Sequence, residues 1–435
     1  MKRHFSVLIA LAVLLVFSSV TSAAKYDFNG ETVVFASVHN ENNYFKNDPI
    51  HLAYIQQVEQ EFNVKIEFKQ ALTWAGRVDE IMASILAGDP VGDVVQFYTA
   101  DTHLLAEALR PLDVLDESYW AGLTGYHADK SFYSYQGVPY GVPIGGNYQY
   151  GNDLASAQIL LWNMDFFAEN GLENPYELML AGEWTWDKFL EICKQATADI
   201  DGDGQIDQWG VQGWDPMMLA QIFAFSNGGG FVTIDENGKA TFTGNTEPVL
   251  EALKFVHDLN YVHRVMYPET IGPWDHANPF YEGRVAFFVQ EFQRLRVNIP
   301  HRQFEQGVVF LPKGPRAEDY VVPNWANAIC GFPVGGKWPV EALAELVAAI
   351  YKTTNEYNGN DYRGMVLDFY ADYVDNEETL EVIDMAIDLV KFWDIIPHDN
   401  FSAVIGSVVD GDVSAASAME QIAPEVQANL DALFN

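Results

Sequence analysis

The sequence predicts an α/β protein built as two lobes. Three observations carry this. Strand and helix patterns alternate at βαβ spacing between Thr32 and Leu109. A stretch rich in Tyr, Gly and Pro, from Tyr133 to Asn152, separates that run from a second one starting at Ile159. Roughly 410 residues remain once an N-terminal leader is set aside, more than one ordinary core accommodates.

The elements follow in order. Thr32 to Val38 has the apolar, β-branched run of a buried strand, and Ile50 to Phe62 the period of a helix. Val64 to Phe68 is a second strand. Trp74 to Ala87 is helical and stops at Gly88, whose freedom at positive φ suits a helix end. Asp93 to Phe97 is a third strand and Thr102 to Leu109 a third helix. Such alternation implies a parallel sheet covered by helices. The second run opens with a strand from Ile159 to Trp162. It carries helices at Trp186 to Thr197, Pro216 to Ser226 and Glu247 to His263. The end of the chain reads as mostly helical, at Pro339 to Thr354, Glu377 to Phe392 and Val413 to Leu433. No internal repeat and no low-complexity segment interrupts this order.

The first 24 residues have the three parts of a secretory signal peptide. Lys2, Arg3 and His4 are basic, Phe5 to Phe17 is almost unbroken apolar sequence, and Thr21-Ser22-Ala23 fits a small-x-small cleavage site. The apolar run is shorter than the ~20 residues that span a bilayer. No cysteine stands at the cleavage site to accept a lipid. The expectation is a mature chain starting at Ala24 or Lys25, exported to a periplasm or the extracellular space and not lipid-anchored.

Composition excludes several classes. The formal net charge of -37 repels nucleic acid and anionic lipid. An apolar fraction of 49% excludes a disordered chain. Cys193 and Cys330 are the only cysteines. Two so far apart make no disulfide framework, and they are expected to be buried thiols not bonded to each other. The chain has no Gly-x-Ser-x-Gly elbow, no His-Glu-x-x-His and no Walker loop. Gly228-Gly229-Gly230 follows a helix, so the setting of a dinucleotide loop is missing. Carboxylates are too abundant for any one pair to single out a glycosidase. No catalytic residue and no organic cofactor is expected.

One local motif is sharper. From Asp199 to Asp207 the sequence places Asp199, Asp201, Asp203 and Asp207 at loop positions 1, 3, 5 and 9, with Gly204 at position 6. Alternate Asp side chains converge on a hard cation in EF-hand loops, and Gly at position 6 permits the turn. Gln205 would add its carbonyl. Position 12 is Gly210 rather than the bidentate Glu, so the match is partial. The loop is a candidate structural calcium site, weighed against a plain Asp/Gly turn.

Several segments, in order, resemble the maltose-binding-protein-like family 1 extracellular solute-binding proteins. Ala87-Gly88-Asp89-Pro90 followed by Asp93-Val94-Val95 is one. Gly137 to Pro143 resembles the family's first crossing between lobes. Leu161 to Asp165 with Gly171-Leu172, and Trp184 to Leu190, follow at the family's spacing. Phe280 to Phe288, Gly307 to Pro315 and Pro424 to Gln427 complete the series. The resemblance runs from the mature N-terminus to the end of the chain. It implies a two-lobed periplasmic-binding-protein fold with a hinge and an inter-lobe ligand cleft. One lobe would hold residues 25–143 plus 322–365, the other 144–321 plus 366–435. It also implies a non-catalytic, substrate-binding component of an ATP-driven (ABC) importer. That component closes on its ligand and delivers it to a membrane permease, and it is expected to be a monomer.

Sugars present apolar C–H faces ringed by hydroxyls, so a carbohydrate site calls for aromatic platforms with amides and carboxylates. The resemblance places a ligand loop at His39 to Tyr44, which nominates His39, Asn43 and Tyr44. Ends of elements nominate Trp74, Tyr98 and Asp101, then Trp214 and Asp215, then Gln290, Glu291 and Phe292. Trp325 and Asn327 are nominated at the return crossing. Trp184, Trp186, Phe288 and Trp338 are expected in packing, while Trp120 and Trp274 fit either role. The alternatives are a non-sugar solute such as a polyamine, metal or glycerol phosphate on the same fold, or a secreted glycan-active enzyme. Few basic residues occur at the candidate loops, which favours an uncharged ligand.

Overall fold

The computed structural model describes residues 26–434 except 40–48, 122–129, 145–153, 236–238, 269–277, 298–301, 325–327, 352–361 and 393–399. The leader and the candidates Asn43, Tyr44, Trp274, Trp325 and Asn327 lie outside the described residues.

Two sheets organise the chain. The first contains β1 (Thr32–Ser37), β2 (Lys65–Gln70), β3 (Val94–Tyr98) and β4 (Val142–Pro143). The second contains β5 (Gln158–Asn163), β6 (Trp209–Gln212), β7 (Val285–Glu291) and β8 (Gln306–Val309). The chain then forms β9 (Val322–Asn324) and returns to the first sheet as β10 (Ala328–Gly331). The strand orders are β2-β1-β3-β10-β4 and β8-β5-β7-β6. In the first sheet β1 runs parallel to β2 and β3, while β10 is antiparallel to both β3 and β4. β3 is central, and all five of its residues are buried. That is why it reads as continuous apolar sequence instead of an alternation.

Each sheet has its own core. One core is assembled from side chains between Phe28 and Ile144 and between Ile329 and Tyr351. The other is assembled from residues between Leu154 and Val322 and between Val366 and Leu430. Helices α1 (Pro49–Glu61) and α2 (Arg77–Leu86) belong with the first sheet. Helices α3 (Trp186–Ala196), α4 (Pro216–Ser226) and α5 (Glu247–His257) belong with the second. Local signals place them. Thr185 caps α3 by accepting from the Lys188 N–H, and Pro216 occupies the first turn of α4 behind the Asp215 cap. Gly210 lets β6 lie against α3, since a Cβ there would stand 2.5 Å from the Cys193 carbonyl oxygen.

After β10 the chain forms α6 (Val340–Tyr351) in the first core. Then α7 (Tyr362–Ala371), α8 (Glu377–Ala386), α9 (Phe401–Val409) and α10 (Ala415–Phe434) add to the second. α7 is placed there by Tyr370, which is buried against Phe292 with ring centroids 5.9 Å apart.

Two expected elements differ. The helix expected from Glu377 to Phe392 stops at Ala386. The chain then forms β11 (Val390–Phe392), which pairs in parallel with β9. The helix expected over Thr102 to Leu109 keeps only Thr102–Leu105. Leu109 is instead drawn into a bridge with Pro333, and the Arg110 N–H donates to the Phe332 carbonyl. A tertiary pairing overrides local helical preference in both places. Among the described residues, no helix is long and apolar enough to cross a membrane.

Candidate functional site

The chain passes between the sheets at one end of each. It leaves the first sheet after β4 and Ile144, and it returns from β9 through residues 325–327 to Ala328, which pairs with Tyr98. The carboxyl ends of β1, β2, β3 and β4 therefore face the crossings. On the second sheet the same side is marked by Ala157, bridged to Asn324, and by Gln158, paired with Glu291. These two edges bound the candidate cleft.

On the first wall, candidates from three strand ends meet. Tyr98 lies at the end of β3, and its hydroxyl is 3.1 Å from His39 Nε2, just past β1. Trp74, past β2, stands edge-on to Tyr98 at 5.1 Å and tilted to His39 at 5.9 Å. Trp74 is 49% exposed, an unusual state for so large an apolar side chain beside a core. Tyr98 is buried. Burial lowers the His39 pKa, which keeps the ring neutral at physiological pH.

Asp101 belongs to this group with a different contact from the one its position suggested. Its carboxylate is buried and accepts from Arg77 Nε at 2.7 Å, Arg77 Nη2 at 2.9 Å and the Tyr98 N–H at 3.2 Å. Arg77, absent from the sequence candidates, thus joins the wall. Its guanidinium carbon lies 5.1 Å from the Tyr98 ring centre and 5.5 Å from that of Trp74. Its position three residues past Trp74, opening α2, was the only sequence signal for it.

On the second wall the candidates divide. The Trp214 indole N–H donates to Gln158 Oε1 at 2.8 Å, and its ring is partly exposed. Gln158, the first residue of β5, was not foreseen, although a polar side chain directly after a crossing is a usable signal. Asp215 is exposed, but its carboxylate is engaged as the cap of α4, accepting from the Met217 and Met218 N–H groups. Gln290 and Glu291 are buried. Gln290 Oε1 accepts from Arg294 Nε and from the Glu291 N–H, both at 3.2 Å, and Glu291 accepts from the Gln293 amide. Phe292 is a correction. It is 0% exposed and packs against Tyr370, because the turn after β7 folds the ring inward and leaves no face for a ligand.

The aromatics expected in packing are there. Trp184, Trp186 and Phe288 are buried, and Trp338 packs edge-on to Phe28 at 4.7 Å. Trp120 is buried and stacks on Tyr133 at 5.7 Å. Both cysteines are buried, and they are not joined in a disulfide.

The acidic loop lies between α3 and β6 and is closed by a bridge between Ala198 and Gln208. Gly202 and Gly204 take φ of 78° and 89°, the left-handed region that turns the loop tightly. Carboxylate oxygens of Asp199, Asp201 and Asp207 come within 4.8 Å of one another, a spacing that suits a hard cation. Asp203 is not in that group. Its carboxylate accepts from the Gln205 N–H at 2.7 Å and from the Gln205 amide at 3.2 Å. The loop thus brings together three carboxylates where five ligands were expected, and those of Asp199, Asp201 and Asp207 also accept from backbone N–H groups of the loop.

Two α/β units, each with its own core, linked by repeated crossings and facing each other across an aromatic and polar edge, define the clasping class of ligand-binding proteins. The profile of the bacterial extracellular solute-binding protein family matches residues 49–344, and the chain belongs to that family. No curated protein sequence matches it. Among solved structures it is similar to an ABC substrate-binding protein from Listeria monocytogenes in complex with cycloalternan. That match has a TM-score of 0.66 at 15% identity, covering 92% of this chain and 99% of the other. It is also similar to the maltose/maltodextrin-binding domain MalE from Bdellovibrio bacteriovorus bound to maltotriose (0.64, 15%, 92% and 100%). A third is UgpB from Mycobacterium tuberculosis in complex with glycerophosphocholine (0.64, 17%, 92% and 98%). Identities this low carry the fold and leave the ligand to the site.

Proposed function

We propose that this chain binds an uncharged sugar or oligosaccharide between its lobes and delivers it to the permease of an ABC importer, without making or breaking a bond. The observation that carries the reading is the half-exposed Trp74, set among His39, Tyr98 and Arg77 at the edge facing the second unit. An exposed indole beside polar groups suits a sugar's apolar face. The charge of Arg77 is balanced by Asp101, and His39 is neutral, so this wall offers little to attract an ion. Two similar structures hold cycloalternan and maltotriose, in keeping with this reading. The glycerophosphocholine complex supports a second reading, a zwitterionic or other non-sugar solute on the same fold.

The lobes are taken as residues 25–143 plus 322–365 and 144–321 plus 366–435, with the return boundary moved past Asn324 because Val322 packs in the second core and β9 pairs with β11, and they close about the crossings as a hinge. The chain acts as a monomer in the periplasm or outside the cell after removal of residues 1–24. Calcium bound by Asp199, Asp201 and Asp207 braces the loop between α3 and β6, with Asp203 and Gln205 joining when the ion is present.

The deciding experiment is native mass spectrometry of purified mature protein, followed by release and identification of the retained solute. A neutral glycan is the expected result, and a polyamine or phosphodiester overturns the sugar reading. Incubation with that glycan should yield no product. Product formation that scales with protein concentration and survives repurification would make the chain an enzyme.

A further inference from the structure

Arg77 carries more than charge balance. A guanidinium has five N–H donors in a rigid plane. Three are placed: Nε and Nη2 donate to the two oxygens of Asp101, and Nη1 donates to the Trp74 carbonyl at 2.6 Å. Among the described residues, the remaining N–H on each terminal nitrogen has no hydrogen-bond acceptor. The Arg77 side chain keeps 17% of its surface in solvent, against 8% for Asp101. The group is also held by the aromatic pair, with the Tyr98 and Trp74 rings 5.1 Å and 5.5 Å from the guanidinium carbon. A cation fixed on two ring faces, a carboxylate and a carbonyl has little orientational freedom left to lose on binding.

We propose that Arg77 is a specificity-determining ligand contact, donating its two unplaced N–H groups to neighbouring hydroxyls of a solute whose apolar face lies on Trp74. Asp101 is then the positioning residue, and it sets selectivity as well as geometry. An unpaired Arg77 would attract anions, whereas the paired one offers a directional fork with no net charge, suited to an uncharged polyhydroxylated ligand. Lysine cannot replace it, since a point-like ammonium gives neither the fork nor the stacking plane. This inference deepens the sugar reading and rests on it.

The test titrates a fixed probe panel by calorimetry: maltotriose, cellotriose, raffinose, glycerophosphocholine and spermidine. The proteins are wild type, Arg77→Lys, Arg77→Met and Arg77→Met/Asp101→Asn. Which probe wild type binds decides the sugar reading, and the ratio of variant to wild type on that probe decides the role of Arg77. Hydrogen bonds from a charged donor predict a loss of about tenfold or more in both single variants. The double variant must stay about as weak, with the melting temperature of the ligand-free protein close to that of wild type. Recovery in the double variant to within about threefold of wild type would show that Arg77 only neutralises Asp101, and would overturn the proposal. So would normal binding by Arg77→Lys. Preference for glycerophosphocholine or spermidine with the same variant pattern sinks the sugar reading while keeping Arg77 as a contact. Binding of no probe by wild type sinks both.

Discussion

Replacing Trp74 by alanine separates a platform residue from a packing residue. An enclosed tryptophan buries ~200 Å². Trp74 is 49% exposed, so about half of that area, ~100 Å², still faces water in the free protein. Covering it with a ligand at ~25 cal/mol per Å² contributes about 2.5 kcal/mol. That corresponds to a loss of roughly 70-fold in affinity. The half that is already buried sets the stability cost. It gives about 1.5–2 kcal/mol after allowance for a compact unfolded chain. Trp184 is the control. It is 0% exposed, rests against Phe189 and Phe287, and donates its indole N–H to the Phe310 carbonyl at 2.8 Å. Truncating it should cost ~3–5 kcal/mol for the cavity, plus the orphaned carbonyl. The assays are urea unfolding of the ligand-free variants and calorimetric titration with the solute identified from the purified protein. If Trp74→Ala is as unstable as Trp184→Ala yet binds with wild-type affinity, Trp74 is packing and the cleft has been assigned to the wrong edge.

Four further outcomes are expected. Saturating calcium should raise the melting temperature relative to chelator by mass action, and Asp199→Ala should remove that difference; equal melting temperatures for wild type would count against the site. Gly307→Ala places a Cβ 2.1 Å from Nε1 of the buried Trp162, and overpacking of this kind should cost ~1–3 kcal/mol in chemical denaturation. Burial lowers the His39 pKa below its ordinary value of 6.5. The unfolded chain therefore takes up the proton first, so stability is full above that range and declines as pH falls through it, and His39→Gln should flatten this slope. Both cysteines should resist alkylation in the folded protein, as burial raises the Cys193 pKa, and both should be labelled after unfolding without reductant.

Much of the fold was legible because its strongest signals are local. β3 is buried along its whole length and reads as an apolar run, and Gly88 ends a helix at positive φ. β11 was not legible. Its three residues become a strand only because β9 arrives beside them from far away in the chain. The site shows the same division. Trp74 and Tyr98 were nominated because strand ends in α/β sheets point at ligands, and the fold brings the two side chains together. Phe292 also lies past a strand end, but its direction is fixed by Tyr370 on another helix. Arg77 had only its place three residues past Trp74 as a signal, and no periodicity reveals its pairing with Asp101 on a different element.

The place of β10 between β3 and β4 has a consequence for how the molecule is made. Among the described residues β4 pairs in its sheet with β10 alone, which the ribosome supplies only after the whole second sheet has been synthesised. The second unit is no more self-sufficient. The Gln427 side chain, close to the last residue, accepts from the Phe242 N–H and donates to the Ala240 carbonyl, doing for that strand edge what a neighbouring strand would do. Neither unit completes itself from contiguous sequence, so closure waits on long-range pairings that form slowly. A nascent chain of this design stays open until its end has emerged. The design also makes the last helix a poor place for truncations, because shortening it unmasks an edge 185 residues away in sequence.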